Sequence, residues 1–388
     1  MKLIHIYFGF FLVAFYCCTE KEGKNFKDIY TLASTNQIIE IKLDDNQVNL
    51  SPFIQVFNHN GGNFLAFLDF DLISINIYNI DSQIKVRSID LKSEKLKPFQ
   101  SIVAFYIINP DTILLVNIRP PVIVFIDSED KIVKKIPAGN EGEFTATIPW
   151  AGQKPLLSGN KLFLGQMYSF METKGKLTGE NIGSTKIAIS IDLLSGLKTL
   201  YSLTYPPSLI GSDVSNMKVC RTLGYNNSFI YCFSLFDSLY ITNEEHVSFK
   251  SKKIETNHKF SFSREHWKYI NDIQKGMRDE LLHDDIKNIF YDKYRECYYL
   301  LIREGQTDID QYAPDFATRL QYGKCFIIIL DKNLKHLGEV YFPDNVYAFQ
   351  MMFITPEGLY ISRNHVRNPE YDEKYLRFEC FTLRKINE

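Results

Sequence analysis

Hydrophobic and polar positions follow a repeated pattern along this chain. From Val122 to Pro137 (VIVFIDSEDKIVKKIP), an apolar run ends at Asp127, a polar turn follows, and a run with alternating apolar residues leaves it. Four similar segments begin at Ile75, Ile187, Ser238 and Phe326. Alternation with a period of two is typical of strands that bury one face. Each segment therefore predicts the outer hairpin of a β-sheet unit.

A second pattern, a turn followed by a short apolar strand, occurs six times. Gly-Gly, Asn-Pro-Asp, Ser-Gly-Asn and Thr-Pro-Glu-Gly stand at four of these turns, and such residues favour tight reversals between strands. The six apolar strands start at Phe64, Ile113, Leu162, Phe229, Tyr298 and Leu359, with spacings of 49, 49, 67, 69 and 61 residues. These lengths are typical of propeller blades that carry insertions.

Together the two patterns predict an all-β fold, a six-bladed β-propeller over residues 37–388. The sixth unit reaches Glu388 with one strand missing, and the strands predicted within residues 37–54 can supply it. Pairing of the N-terminal segment with the last blade would close the ring and leave only short, protected edges. The alternative is a seventh blade made by the N-terminal strands themselves.

Residues 263–288 interrupt the β pattern. Their apolar side chains recur near helical spacing, at Trp267, Ile270, Ile273, Met277, Leu281 and Ile286. Ser263 is a residue type that suits a helix N-cap. We predict a helical insertion that braces the blade it interrupts, and the alternative is a lid or partner-binding flap over one face.

Residues 1–18 have the organisation of an export signal. A positive charge precedes the apolar run Ile6–Tyr16, which is too short to span a bilayer as a helix. The run stops at two cysteines and a charged segment follows, so it resembles a bacterial lipoprotein signal. We expect Cys18 to carry the lipid, with Cys17 as the alternative, and residues 19–36 to form a polar tether. Cleavage without lipidation, which would release a free periplasmic protein, stays open.

Composition and charge bear on the partners of the protein. Of the 388 residues, 45% are hydrophobic and 14% aromatic, which suits a large β-rich core. The formal net charge is −2, from 44 basic and 46 acidic residues. Because this balance produces no strong overall field, we do not expect nucleic acid as a partner, and contact with a membrane is expected only through the lipid anchor.

Five cysteines follow the signal, at Cys220, Cys232, Cys297, Cys325 and Cys380. They form no Cys-x-x-Cys pair and lack histidines at zinc-site spacing, so we expect no metal. We interpret them as small buried side chains. If one disulfide forms in the exported protein, the preferred pair is Cys297 with Cys325, because both fall on consecutive strands of one repeat.

Motifs of several enzyme classes are absent from the sequence. It contains no Gly-x-Ser-x-Gly elbow, no His-Glu-x-x-His helix, no phosphate-binding loop and no EF-hand. We therefore predict no catalytic residue and no cofactor from local motifs. Active sites of propellers gather residues from separate blades, so an enzyme stays open as the alternative.

One functional residue type recurs at the ends of apolar strands, namely arginine, at Arg119, Arg303 and Arg363. Repeat symmetry would place these three side chains on one face, near the mouth of the central channel. Three converging guanidinium groups would suit a carboxylate, sulfate or phosphate, because each offers a rigid fork of donors. The alternative is that each arginine pairs with a local acid and braces neighbouring blades.

The chain resembles exported lipoproteins of the Bacteroidota that have a six-bladed, TolB-like β-propeller domain, a family of unknown function. The resemblance rests on the Cys17-Cys18 signal, on NPDTILLV and VIVFIDSEDKIVKKI, and on IKNIFYDKYRECYYLLIRE after the helical insertion. It implies an outer-membrane lipoprotein that faces the periplasm or the cell surface, and it implies no catalytic residue. We predict a binding or scaffolding module for a protein or glycan partner; the alternative is a hydrolase or lyase with its active site at the channel mouth.

Overall fold

The computed structural model describes residues 26–51, 53–99, 101–138, 154–165, 186–206, 219–263, 273–306 and 323–386. The strands of these segments form six four-stranded antiparallel sheets. Five sheets are made of four consecutive strands, and the sixth combines strands from the two ends of the chain. This arrangement confirms the predicted six-bladed β-propeller.

The blades are numbered in chain order, and each runs from its innermost to its outermost strand. Blade 1 consists of β2 (Ile54–His59), β3 (Gly62–Asp69), β4 (Ser74–Asn79) and β5 (Ile84–Asp90). Blade 2 consists of β6 (Ile102–Asn109), β7 (Thr112–Ile118), β8 (Pro121–Ile126) and β9 (Ile132–Pro137). Blade 3 consists of β10 (Leu156–Ser158), β11 (Lys161–Gly165), β12 (Ala188–Asp192) and β13 (Lys198–Leu200).

The second half of the ring repeats this arrangement. Blade 4 consists of β14 (Val219–Leu223), β15 (Phe229–Phe233), β16 (Ser238–Thr242) and β17 (Lys250–Lys253). Blade 5 consists of β18 (Asp285–Asp292), β19 (Cys297–Arg303), β20 (Cys325–Asp331) and β21 (His336–Tyr341). Blade 6 consists of β22 (Ala348–Ile354), β23 (Leu359–Ser362), β24 (Tyr375–Lys385) and, at its outer edge, β1 (Tyr30–Lys42).

Burial follows the position of a strand within its blade. The second and third strands are almost wholly buried, as in β19, whereas outermost strands such as β5 expose alternate residues. The six apolar strands predicted from the turn pattern are the second strands of the six blades. The five predicted outer hairpins are the third and fourth strands of blades 1 to 5.

The aspartate that ends several third strands organises the turn to the outermost strand. Asp127 Oδ1 accepts hydrogen bonds from the backbone N–H groups of Glu129 and Lys131, both at 2.9 Å. The N–H group of Lys131 is the main cause of a lowered pKa at this carboxyl. Asp192 and Asp331 accept equivalent bonds in blades 3 and 5. The recurring Asp therefore marks a turn whose backbone donors need a side-chain acceptor.

The ring is closed as predicted, by an N-terminal strand, although the strand is longer than expected. β1 pairs antiparallel with β24 from Tyr30 opposite Lys385 to Lys42 opposite Tyr375. The closing strand thus starts inside the segment predicted to be a tether. Ile54, at the other end of the predicted closing segment, begins the innermost strand of blade 1 instead. The tether prediction was wrong from Tyr30 onward, because β-pairing uses backbone groups, which polar residues such as Thr31 and Ser34 also supply.

The helical insertion is confirmed only in part. Helix α1 spans Ile273–Leu282 on the connection between blades 4 and 5. Residues 264–272 lie outside the described part of the chain. The prediction was wrong from residue 285 onward, because Asp285–Asp292 is the innermost strand of blade 5. Its apolar residues fit either period over so short a run, and pairing with β19 decides in favour of the strand.

The two faces of the ring differ in their connections. We call the face at which each innermost strand begins the loop face. It carries the connections from one blade to the next and the connections from second to third strands. Its connections include long ones, such as that between Gly165 and Ala188. The opposite face, the turn face, carries short turns such as Asp292 to Cys297. In the described part of the chain, no helix is long and apolar enough to cross a membrane.

Candidate functional site

A lysine from blade 3 reaches the axis of the propeller. Lys154 lies just before β10, at the loop face. Its Nζ donates a hydrogen bond of 2.9 Å to the backbone oxygen of Ile54 in blade 1. The same ammonium lies 6.0 Å from the centroid of the Phe290 ring in blade 5. Blades 1, 3 and 5 alternate around a six-membered ring, so a group that contacts all three must lie close to the central axis.

An arginine from blade 4 contacts the backbone of this lysine. Arg221, on innermost strand β14, is only 3% exposed. Its Nη2 donates to the backbone oxygen of Phe163 at 3.0 Å and to that of Lys154 at 3.4 Å. The Tyr231 hydroxyl on the neighbouring strand interacts with the guanidinium. The arginine therefore helps to hold the backbone of Lys154 in place.

The electrostatics of the axis are unusual for a protein interior. Neither Lys154 nor Arg221 forms an ion pair with a carboxylate of the described residues. Burial lowers the pKa of Lys154 to about 8, because the charged ammonium loses its hydration. Burial also lowers the pKa of Arg221. Most Lys154 side chains are nevertheless protonated at pH 7, so a positive charge lies in the channel.

Amide groups on the innermost strands add neutral donors and acceptors. The Gln55 amide in blade 1 bonds both backbone groups of Ile107 in blade 2, each at 2.8 Å, and so joins two innermost strands. Gln350, on innermost strand β22 of blade 6, differs. Its amide nitrogen and oxygen are both buried and have no hydrogen-bond partner among the described residues. Because unsatisfied buried amides are costly, Gln350 is a polar group that a bound molecule or water could satisfy.

The three predicted arginines occupy equivalent positions at the loop face, at or just after the end of a second strand. Arg303 is 2% exposed and donates to the backbone oxygens of Glu280, Leu281 and His283. Arg363 pairs with Glu370 at 2.5 Å and with Glu379 at 3.3 Å. Arg119 is exposed beside Pro120. Arg303 and Arg363 bond local backbone and carboxylate groups, as expected of side chains that stabilise the fold. Binding of an anion by the three arginines stays a prediction.

The predicted disulfide between Cys297 and Cys325 is wrong. The two residues start neighbouring strands that run in opposite directions, so Cys297 faces Asp331 and Cys325 faces Arg303 at opposite ends of the pair. Seven-residue strands separate their thiols by roughly 20 Å, far beyond the reach of a disulfide. Both thiols are free and buried. The placement of both cysteines on consecutive strands did not indicate their separation, because the first residues of two antiparallel neighbours lie at opposite ends of the pair.

The remaining site predictions concern lipidation and metal binding. Cys17 and Cys18 lie outside the described residues. In the segments that the structure describes, no group of three or more His, Cys, Asp or Glu side chains is arranged to hold a metal ion. The sequence analysis missed Lys154 and Arg221. Lys154 is a single lysine that precedes Pro155 and a three-residue strand. Neither its spacing nor a motif distinguishes it from a surface lysine.

Two solved structures are similar in fold to this chain. A crystal structure of a DUF4221 family member from Bacteroides vulgatus ATCC 8482 matches with a TM-score of 0.80 and 21% identity, over 93% of this chain and 100% of that chain. A Bacteroides fragilis NCTC 9343 protein that is named as exported matches with a TM-score of 0.50 and 10% identity, over 92% of this chain and 96% of that chain. These identities are low, so the two likenesses show a shared fold alone.

The sequence comparisons agree with the structural ones. No curated protein matches the chain. Residues 30–341 match the family described as a domain of unknown function, DUF4221. The match begins at the first residue of the closing strand and ends with the outermost strand of blade 5. The chain is therefore a member of the DUF4221 family, a β-propeller family of unknown function.

Proposed function

We propose that the protein is a non-catalytic binding module of the cell envelope, which holds an anionic group of a protein or glycan partner at its loop face. The observation that carries this proposal is the position of Lys154. Its ammonium lies at the axis, in reach of three blades, without a carboxylate partner in the described residues. The loop face also carries the long connections between strands, and such loops commonly provide the binding residues of rigid scaffolds.

The physical reason is that an uncompensated buried cation favours an anionic ligand. Taking an ammonium out of water costs free energy, which the lowered pKa of Lys154 expresses. A carboxylate, sulfate or phosphate at the axis would offset that cost and would accept a charge-assisted hydrogen bond. Arg221 donates to the backbone oxygen of Lys154 and so helps to position the residue that carries the ammonium.

The proposal is tested by titrating the protein with glucuronate, inorganic sulfate and, as the neutral control, glucose. Lys154→Met keeps most of the length of the side chain and removes its charge, so it should weaken binding of the anions at least tenfold. Lys161→Met is the matched control, because Lys161 is an exposed lysine of the same blade at the turn face. Equal anion affinity in wild type and Lys154→Met would overturn the proposal.

The pH dependence provides an independent readout. The protonated ammonium binds the anion, so the affinity of the wild type should fall as the pH rises through about 8. Lys154→Arg retains its charge at any such pH and should keep its affinity up to pH 9. A wild-type affinity that is constant from pH 6.5 to 9 would contradict the role of Lys154.

The alternative function, a hydrolase or lyase at the channel mouth, has one observation in its favour. An amine with a pKa of about 8 is partly neutral at neutral pH, and a neutral amine can act as a general base. Incubation with a uronic-acid polymer distinguishes the two functions, because a lyase releases unsaturated products that absorb ultraviolet light. Binding of glucuronate without turnover of the polymer supports the binding module.

Export and anchoring belong to the same proposal. The apolar N-terminal run and its cysteines support them, as does the Bacteroides fragilis relative that is named as exported. A single lipidated cysteine that carries several acyl chains would anchor the protein stably to the outer membrane. Cys18→Ser should therefore move the protein from the membrane fraction to the soluble fraction. Release by Cys17→Ser alone would show that Cys17 is the anchor.

A further inference from the structure

We propose that Cys220 and Cys232 are a disulfide site, a covalent modification that joins the two innermost strands of blade 4. The two residues face each other directly in the antiparallel pairing of β14 with β15. Both are free thiols in the structure, and they are 1% and 0% exposed. The inference is independent of the anion site, because it rests on the register of one hairpin.

The geometry of the pair meets the requirements of a disulfide. Directly opposite residues of an antiparallel pair have Cα atoms about 4.5–5.5 Å apart, within the 4.4–6.8 Å that disulfides span. The two thiols point to the same side of the blade and interact with each other through a hydrogen bond. The register therefore brings the two residues within disulfide reach, and oxidation would replace the hydrogen bond that the Cys220 thiol donates to the Lys287 oxygen.

The other described cysteines lack such a partner. Cys297 pairs in register with Asp292 and Asp331, Cys325 with Arg303, and Cys380 with Tyr360. Only the hairpin of blade 4 brings two described cysteines into opposition. If one disulfide forms in an exported chain, the register favours this pair over the Cys297–Cys325 pair that the sequence suggested.

The surroundings determine when oxidation takes place. Both cysteines lie in the apolar layer between blades 4 and 5, with Ile230, Ile286 and Ile289. Burial raises the pKa of the Cys232 thiol well above its ordinary value, so the thiolate that exchange requires is scarce in the folded protein. The disulfide would therefore form during folding, after the hairpin has paired and before blade 5 covers it.

The chemistry is an exchange with an existing disulfide. One cysteine, as thiolate, attacks a disulfide of the glutathione or thiol-oxidoreductase class and forms a mixed disulfide, releasing the first thiol of the oxidant. The second cysteine attacks the mixed disulfide and releases the other thiol. The protein loses two electrons and two protons, and the oxidant gains both.

The test is to refold the reduced protein in a mixture of reduced and oxidised glutathione and to map its peptides without reduction. We expect one linked species that joins the peptides of Cys220 and Cys232. The melting temperature of this species should exceed that of the reduced protein by on the order of 5 °C, because the cross-link restricts the unfolded chain.

Two variants complete the experiment. Cys220→Ser should lose the linked species and the thermal shift, whereas Cys380→Ser, a buried cysteine without a facing thiol, should keep both. The proposal is overturned if wild-type protein that has refolded, as shown by its β-sheet circular dichroism, has both thiols open to alkylation after denaturation. Linkage of either residue to another cysteine would overturn it equally, and neither outcome requires the variants to fold.

Discussion

Replacing Arg303 with methionine should show whether this arginine is a brace or a ligand-binding group. The guanidinium is buried between blade 5 and the end of α1. It donates to the backbone oxygen of Glu280 at 2.5 Å, of Leu281 at 3.2 Å and of His283 at 3.3 Å. The last carbonyl groups of a helix have no partner within the helix. The Leu281 oxygen also accepts from the N–H group of Gln306, so Arg303 matters most for the oxygens of Glu280 and His283.

The expected loss of stability follows from these contacts. Methionine keeps most of the apolar packing of the side chain and removes all of its donors. A hydrogen bond from a charged group is worth about 1.5–3 kcal/mol, and three shared contacts to one group are not additive. Asp285, 3.8 Å from Arg303, keeps its ion pair with Lys287 at 2.5 Å. We therefore expect Arg303→Met to lower the free energy of unfolding by about 3–5 kcal/mol.

The assay is equilibrium unfolding in urea, together with the anion titrations described above. Arg303→Lys keeps the charge but not the fork of donors, so its loss should lie between those of wild type and Arg303→Met. Arg119→Met is the matched control, an exposed residue at the equivalent position of blade 2, and should change stability by less than about 0.5 kcal/mol. A loss below about 1 kcal/mol for Arg303→Met, combined with weaker anion binding, would refute the bracing role.

Two further predictions concern ring closure and pH. Deletion of Tyr30–Lys42 removes the outermost strand of blade 6 and exposes the edge of β24, so the variant should aggregate in size-exclusion chromatography; a soluble monomer with an unchanged melting temperature would contradict the closure. His246 is fully buried, bonds the Tyr231 hydroxyl at 2.8 Å, and has its pKa lowered by burial to about 4. Between pH 6.5 and 4 the unfolded chain binds a proton that the folded chain does not, so stability should fall by about 3 kcal/mol over this window as the pH drops. His246→Gln should lack this part of the pH dependence in urea unfolding, and equal slopes for the two proteins would refute it.

Some features of the site were accessible from the sequence and others were not. Strand-end arginines recur in the repeat, so their common placement at the loop face follows from symmetry. Their partners do not follow, because Arg303 meets the end of α1, a segment outside the repeat. Lys154 contacts blades 1 and 5, which are far from it in sequence. No local pattern could reveal an ammonium whose environment is made by three separate blades.

The amino-acid sequence by itself determined the repeated unit and the order of strands within a blade, and it favoured six blades over seven. Period-two alternation, turn residues and the recurring Asp at positions such as Asp127 are local signals, because each depends on backbone geometry within a few residues. Tertiary structure decided the extent of the closing strand, which depends on pairing with β24 at the other end of the chain. It also decided that Cys220 faces Cys232 while Cys297 and Cys325 lie at opposite ends, because strand direction and register are set by partners and not by single strands.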